Sequence, residues 1–437
     1  MKNMEAKESI LVIGGGIAGM QASLDLASRG MKVYLVEKTP SIGGRMAQLD
    51  KTFPTMDCSM CILAPKMIEC FRHPNITLLT YSEVQEVKGS AGNFRVKILK
   101  KPRFVDLEKC TGCGECAQHC PVEIPNEFDM GLGVRKAIYV PFPQAVPLKY
   151  TIDDENCIKC RLCQKMCKAG SIDYDQQPET IDINVGAIVV ATGFELFDAR
   201  TRSEYGYGKY RNVLTSLEFE RLLSASGPTG GHLLRLSDGR IPRRIAFIQC
   251  VGSRSLKGGV SYCSSACCVY ATKEGILIRE HNPKCEVYVF YNDLKVFGKG
   301  FQDFVNRARD EWGVKYVRAL PGEIVEDPKT GDLIIWYEDT TENVTKNMKA
   351  DIVVLCPALV PRATDKELAG ILGLELDEFG FMKSKDPLFA PVDTNRPGIY
   401  ICGYCQGPKD IPESVAQASG SAARAAEVIV AVGKEAH

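Results

Sequence analysis

The chain has 437 residues, with 54 basic and 54 acidic side chains and a formal net charge of zero. Such a length allows two or three domains with well-buried cores. The balanced charge argues against nucleic acid as a partner and against an acidic solvating tail. Apolar stretches such as Gly186–Ala191 and Ala425–Val432 fall far short of a bilayer span. No apolar leader ends at a cleavage site, so a cytoplasmic protein without a direct membrane span is expected. Nineteen cysteines against five histidines make any metal chemistry thiolate-dominated and point to a reducing, anaerobic setting.

In chain order, a short apolar strand is expected at Ser9–Val12, then the turn Gly14-x-Gly16-x-x-Gly19 and a helix from Met20 to Ser28. A second strand, Lys32–Val36, ends at Glu37. In such a βαβ unit Gly14 permits a tight turn, Gly16 lets backbone approach a pyrophosphate, and Gly19 allows close helix–strand packing. Helix N–H groups, among them those of Ile17 and Ala18, would meet the phosphates. Glu37, with Lys38 beside it, is placed at a ribose. Cys58 and Cys61 follow as Cys-x-x-Cys, which reads equally as a dithiol, half a cluster or two packed thiols.

Residues 103–180 are dense in Cys, Pro and Asp and read as an insertion. They carry Cys110, Cys113, Cys116 and Cys120, then Cys157, Cys160, Cys163 and Cys167. Each run is C-x2-C-x2-C-x3-C, the two-cluster ferredoxin spacing in which the fourth cysteine ligates the other cluster. Two [4Fe–4S] clusters are expected: Cys110, Cys113 and Cys116 with Cys167, and Cys157, Cys160 and Cys163 with Cys120. Structural zinc fits eight evenly spaced cysteines less well. Pro121 follows the first run as the pattern requires, whereas Lys168 follows the second.

Strand character resumes at Ala187–Ala191 before Thr192-Gly193, and again at Arg244–Gln249, Val287–Tyr291, Ile352–Leu355 and Ile399–Cys402. A small-residue helix is expected from about Ser414 to Val432. After Gln249 no second glycine turn appears. Instead Cys250, Cys263, Cys267 and Cys268 fall within 19 residues, either as buried free thiols or as a third cluster. Cys402 and Cys405 form a further Cys-x-x-Cys. Cys70, Cys285 and Cys356 read as structural, His73 and His119 show no evident partner, and Lys66 reads as phosphate-contacting or simply solvated.

Several segments resemble FAD-dependent disulfide reductases and amine oxidases: Gly43-Gly44-Arg45 after Glu37, Ala191-Thr192-Gly193, and Gly398–Gly403. The resemblance implies FAD, with Gly44, Arg45, Ala191, Thr192, Gly193 and Gly403 close to it. The helix carrying Ala416 and Gln417 would direct N–H donors at the isoalloxazine. Tyr404 stands where that superfamily carries an acid, with Asp410 as a candidate substitute.

Together with Thr52–Leu63 and Gln249–Cys268, these motifs resemble the A-type subunits of the heterodisulfide reductase family. The resemblance implies an α/β fold: a disulfide-reductase-like flavoprotein with two dinucleotide-binding domains and an inserted ferredoxin domain. It divides the chain into an opening segment of the FAD-binding domain (1–102), the insertion (103–180), a return to the FAD domain with a linker (181–240), a degenerate NAD-binding-like domain (241–356), and a closing segment of the FAD-binding domain (357–437). It also implies a third [4Fe–4S] cluster on Cys250, Cys263, Cys267 and Cys268. Beside the longest family members, the chain reads as starting at the flavin domain and stopping after the last flavin helix.

The function implied is electron transfer inside a multi-subunit complex, pairs at FAD and single electrons through clusters, with flavin-based bifurcation as one mode. Implied partners are heterodisulfide reductase B- or C-like subunits, hydrogenase- or formate-dehydrogenase-linked subunits, or ferredoxin, in a complex that is dimeric in one form. The competing readings are an A-type chain of a quinone-interacting complex and an NAD(P)H-dependent flavoprotein like the small subunit of glutamate synthase. The missing second glycine turn weighs against the latter.

Overall fold

The computed structural model describes residues 9–340 and 342–435. From the N-terminus the chain forms β1 (Ser9–Ile13), α1 (Ile17–Ala27), β2 (Lys32–Glu37), α2 (Ser59–Arg72), β3 (Ile76–Thr80), β4 (Ser82–Ser90) and β5 (Asn93–Lys100). The cysteine-rich segment holds two short helices, α3 (Glu115–Gln118) and α4 (Leu162–Met166). Then come β6 (Glu179–Val185), β7 (Ala187–Val190), β8 (Val213–Thr215), α5 (Ser216–Leu223), β9 (Arg244–Val251) and α6 (Cys267–His281). The remaining elements used below are β10 (Glu286–Tyr291), β11 (Lys315–Arg318), β12 (Ile352–Pro357), β13 (Ile399–Ile401) and α7 (Ile411–Glu435).

Two compact units result. The first contains the described residues up to Ala47, Cys61–Phe194, and those from Pro361 onward. Its main sheet is five-stranded and parallel, in the order β13-β7-β1-β2-β3. Ile10, Leu11 and Val12, like Ala187–Val190, are fully buried. That burial on both faces is what an uninterrupted apolar strand requires. A second, antiparallel sheet runs β6-β5-β4. In β5 Phe94, Val96 and Ile98 alternate with exposed Asn93, Arg95 and Lys97, and the apolar set joins the core of Ile188, Val190 and Ile399.

The second unit comprises Gln48–Met60 and Glu195–Val360. It repeats the architecture with a parallel sheet ordered β8-β12-β9-β10-β11. A three-stranded antiparallel sheet, Pro321–Glu326, Leu333–Asp339 and Val344–Ala350, accompanies it.

Two parallel α/β sheets are therefore present, with β1 leading to α1 in the first and β9 leading to α6 in the second. Boundaries move by a few residues. Helix α1 begins at Ile17 because Gly16 takes the extended conformation of an N-cap. Helix α7 begins at Ile411 because Asp410 and Glu413 cap its first turn reciprocally, each side chain accepting the other's backbone N–H at 2.8–2.9 Å. Asp410 therefore serves as a helix cap in this fold.

Candidate cofactor sites

The first candidate site is the β1–α1 turn. Gly14 has φ +109°, and a Cβ there would sit 2.3 Å from the Ala191 carbonyl oxygen. A Cβ on Gly19 would lie 1.8 Å from the Gly14 oxygen. Both positions accept only glycine, so the turn packs directly on the Ala191 segment. Gly16 is different: a Cβ there meets no atom within 4 Å. The open space at Gly16 lies over an α1 N-terminus that no side chain caps, which leaves a cradle with N–H donors and a favourable dipole.

Around this cradle the expected residues converge. Glu37 is 8% exposed, and its carboxylate accepts from the Gly15 N–H at 2.7 Å and from the Thr39 N–H and hydroxyl at 2.8 Å. These bonds orient Glu37 from the end of β2 and leave further lone pairs for a ribose. Gly43 donates to the Gly15 oxygen at 2.8 Å, and Gly44 backs onto Gly16 so closely that a Cβ would lie 2.9 Å from its Cα. Gly403, at φ +72°, abuts Ala18 and donates its N–H to Gln417 Oε1 at 2.9 Å. Thr192 Oγ1 is buried without a hydrogen-bond partner, and Gly193 next to it has φ +81°. An orphaned buried hydroxyl beside an open glycine cradle suits a polar ligand such as FAD.

Other expected positions are more peripheral. Ala416 and Lys38 are exposed, and Lys38 lies 3.9 Å from Glu83. Arg45 is half-buried and near Met130, while Lys66 donates to Gln21 at 2.7 Å. Cys402 and Cys405 are fully buried; burial pushes both thiols up, Cys405 to about 11. Cys405 donates to the Val190 oxygen at 3.4 Å, so this pair packs as core thiols. His73 and His119 each have local backbone partners, the Asn75 N–H and the Glu115 oxygen.

The second site is the cysteine-rich segment. Its small core joins Val105, Ile138, Ile152 and Ile172 to Cys110, Cys116 and Cys163, with Cys120, Cys157 and Cys167 packed against them. Helices α3 and α4, which carry Cys116 and Cys163, pack together. Both start from a left-handed residue, Gly114 and Arg161, where the chain turns sharply between successive cysteines. A recess of about 290 Å³, including its open mouth, is lined by Cys120, Cys157, Cys160 and Cys163 with Tyr174 and Ile138. This brings the fourth cysteine of the first run to the first three of the second. Cys110 and Cys113 influence Cys116, whose thiol is pushed up to about 12 mainly by burial. Several groups donate toward sulfur: the Lys159 N–H to Cys157 at 3.4 Å and the Ser171 N–H to Cys167 at 3.3 Å. Tyr174 Oη lies 3.1 Å from Cys163 Sγ. Hydrogen bonds of this kind tune cluster potentials. Among the described residues no three His, Cys, Asp or Glu side chains converge as closely as a single metal ion needs. Thiols around a cubane stand farther apart, each on its own iron.

The third site lies in the second unit, between the end of β9 and the start of α6. Cys250, with φ +58°, ends the straight part of β9; Cys267 and Cys268 open α6. Burial raises all three thiols, Cys268 to about 11, and in each case the other cysteines of the group add to the rise. Cys263 influences each of these three thiols. The Lys295 N–H points at Cys268 Sγ and the Ser265 N–H at Cys263 Sγ, both at 3.4 Å. Arg254 lies against Cys250 and pairs with Asp293 at 2.8 Å. Four thiols with N–H donors and a cation, at a helix N-terminus, form a donor set suited to an anionic cluster.

Sequence reasoning did not find Tyr174 or the donors at Ser171 and Lys295. Tyr174 falls seven residues after Cys167, and only its proximity in the fold marks it.

An open glycine cradle in one unit with eight clustered thiols beside it defines an FAD-dependent oxidoreductase that carries a 4Fe–4S binding segment. Residues 9–93 match the FAD dependent oxidoreductase family, and residues 103–126 match the 4Fe-4S binding domain family. In fold the chain is similar to the thioredoxin reductase of Lactococcus lactis, with a TM-score of 0.54 at 16% identity, covering 98% of this chain and 99% of that one. The thioredoxin reductase of T. acidophilum gives a TM-score of 0.53 at 14% identity, covering 98% of this chain and 100% of that one.

In sequence it is 56% identical over 421 residues to the iron-sulfur A-type chain of the CoB–CoM heterodisulfide reductase of Methanocaldococcus jannaschii, covering 96% of this chain and 64% of that protein. It is 53% identical over 419 residues to the A-type chain of the H2:CoB-CoM heterodisulfide,ferredoxin reductase of Methanothermobacter marburgensis, covering 96% of this chain and 63% of that protein. The chain is thus similar to heterodisulfide reductase A-type subunits over 96% of its own length, and it spans somewhat less than two thirds of the length of these relatives. Among the described residues no helix is long and apolar enough to cross a membrane.

Proposed function

We propose that this chain is the electron-transfer component of a heterodisulfide-reductase-type complex, with FAD on the β1–α1 turn and three [4Fe–4S] clusters on the twelve cysteines named above. When bound, FAD supplies two-electron chemistry and the clusters supply one-electron chemistry. The protein binds and positions them. Gly14 and Gly19 hold the turn tight, Gly16 leaves room for the pyrophosphate, and Glu37 takes the ribose. Gln417 fixes Gly403 through its N–H, beside the flavin end of the cradle. Lys159, Ser171 and Tyr174 donate toward thiolate sulfur and set the potentials of the insertion's clusters.

The observation that carries this reading is the recess lined by Cys120, Cys157, Cys160 and Cys163, since it unites the two ferredoxin runs in the interlocked pattern of a two-cluster protein. The substrates lie with partner redox subunits: heterodisulfide reductase B- or C-like chains, hydrogenase- or formate-dehydrogenase-linked chains, or ferredoxin. An anaerobic reductive titration tests the proposal, following flavin absorbance and cluster paramagnetic resonance together. Both signals are expected to respond, with the flavin taking two electrons. A flavin that stays oxidised while the clusters reduce would overturn it.

A further inference from the structure

Arg103 is a buried cation with no anion beside it. It is 4% exposed, and among the described residues no carboxylate pairs with it. Its guanidinium donates instead to three neutral oxygens: Thr151 Oγ1 at 2.8 Å, the Pro40 carbonyl at 2.7 Å and Thr80 Oγ1 at 2.5 Å. Those partners come from three places. Pro40 lies between Glu37 and the Gly43-Gly44 segment, Thr80 ends β3, and Thr151 belongs to the cysteine-rich insertion. The guanidinium also lies 5.6 Å from the centre of the Tyr81 ring.

A buried unpaired charge is costly, and proteins retain one only where something neutralises it. The titratable groups that face Arg103 are Tyr81, Tyr139 and Cys110. Nearby charges are already engaged: Lys101 with Glu83, and Arg135 with Glu127 and Asp153. Both tyrosines are neutral phenols, since burial raises each of them. Cys110, the first cysteine of the first ferredoxin run, is the remaining source of negative charge. As a free thiol it would supply none; as a cluster ligand it is a thiolate on an anionic centre.

We propose that Arg103 is a positioning residue that supplies the counter-charge for the cluster held by Cys110, Cys113 and Cys116, making that cluster easier to reduce while tethering the insertion to the flavin-binding segment. This rests on the proposed reading of those cysteines as ligands. On reduction one electron enters, from flavin in the enzyme or from dithionite in a titration. No covalent bond forms or breaks and no proton is taken up. Arg103 keeps its charge, so its attraction favours the more negative reduced state. Its tethers involve only neutral oxygens, so the charge stays available to the cluster.

The test is a dithionite titration of the full chain, followed by paramagnetic resonance, for wild type, R103Q and R103K, with iron and FAD counted in each. The first cluster is assigned by the signal that C113S removes. At the potential that half-reduces this cluster in wild type, R103Q is expected to lower its reduced-to-oxidised ratio about tenfold, a shift of ~59 mV for one electron. The second cluster should titrate unchanged, and R103K should restore the first to within about twofold of wild type. An iron-replete R103Q that titrates like wild type would overturn the proposal, as would equal shifts in R103Q and R103K. Should R103Q fail to load iron, R103K and T151V decide, because both keep the cation: a tenfold fall in either refutes it, and wild-type titration in both supports it. A wild-type chain whose insertion holds no iron would instead refute the ligand reading on which the proposal stands.

Discussion

The two units share one device, a parallel strand that leads through a turn to a helix, and build the turn from different residues. In the first, β1 leads through Gly14, Gly16 and Gly19 into α1; in the second, β9 leads through Cys250 and Gly252 toward Cys267 and Cys268 at the start of α6. Both turns follow a strand of a parallel five-stranded sheet and end at a helix N-terminus. The glycine turn removes side chains so that a large anionic nucleotide can approach backbone N–H groups. The cysteine turn projects side chains into the same kind of position, where a Cβ on Gly252 would strike the Phe197 ring at 2.4 Å. One topology thus presents either backbone donors or thiols, and residues in the turn select between them. The helices differ accordingly. In α1 the buried positions are small or apolar, such as Ala18, Gly19 and Ala22, whereas α6 buries Lys273 and Glu274 completely.

The largest effect is expected at Gly19. G19V would drive side-chain atoms into the Gly14 carbonyl, and it is expected to destabilise the first unit by about 3 kcal/mol and abolish FAD retention. Flavin absorbance of the purified chain and its melting temperature check this. G16A is the sharper probe: the space is open, so the fold should persist while FAD affinity falls about tenfold or more, as read by flavin titration into apoprotein.

At the second turn, C250A should remove about four iron atoms per chain and leave flavin content unchanged. A loss of flavin together with iron would mean the two turns are not chemically independent. Rapid mixing with NADH or NADPH should leave the flavin oxidised, since the second turn lacks the glycines for a nicotinamide nucleotide.

The smallest effect is expected at Glu274. Both of its carboxylate oxygens are buried without a hydrogen-bond partner, and burial raises its pKa from 4.5. The folded state therefore keeps a proton that the unfolded state releases above about pH 4.5, so stability falls as pH rises toward the raised value. E274Q should flatten this stretch of the profile, measured as melting temperature against pH. A variant with the wild-type slope would place the pH dependence elsewhere.

Much of the first turn was legible because its constraints are local. Gly14, Gly16, Gly19 and Glu37 are fixed by the geometry of one βαβ unit, and the ferredoxin runs declare themselves by spacing. Other features depend on distant partners. Helix α2 contains Pro65, a residue that argues against a helix interior. The 48–60 segment folds with residues 195–360, and no composition shift marks it. The β4-β5-β6 sheet was in principle readable, since Asn93–Lys100 alternates apolar and polar residues with period two. Arg103 stands at the edge of the insertion, where nothing in the sequence distinguishes it from the other basic residues. Only its burial and its partners at Pro40, Thr80 and Thr151 set it apart.

We assign a cluster to the second turn, where the first is assigned a nucleotide. Iron and flavin counts on the wild-type chain, purified without oxygen, test it most directly. The account predicts one FAD and about twelve iron atoms per chain, as three cubane clusters require; one FAD with about eight iron atoms would leave Cys250, Cys263, Cys267 and Cys268 as free thiols and contradict it.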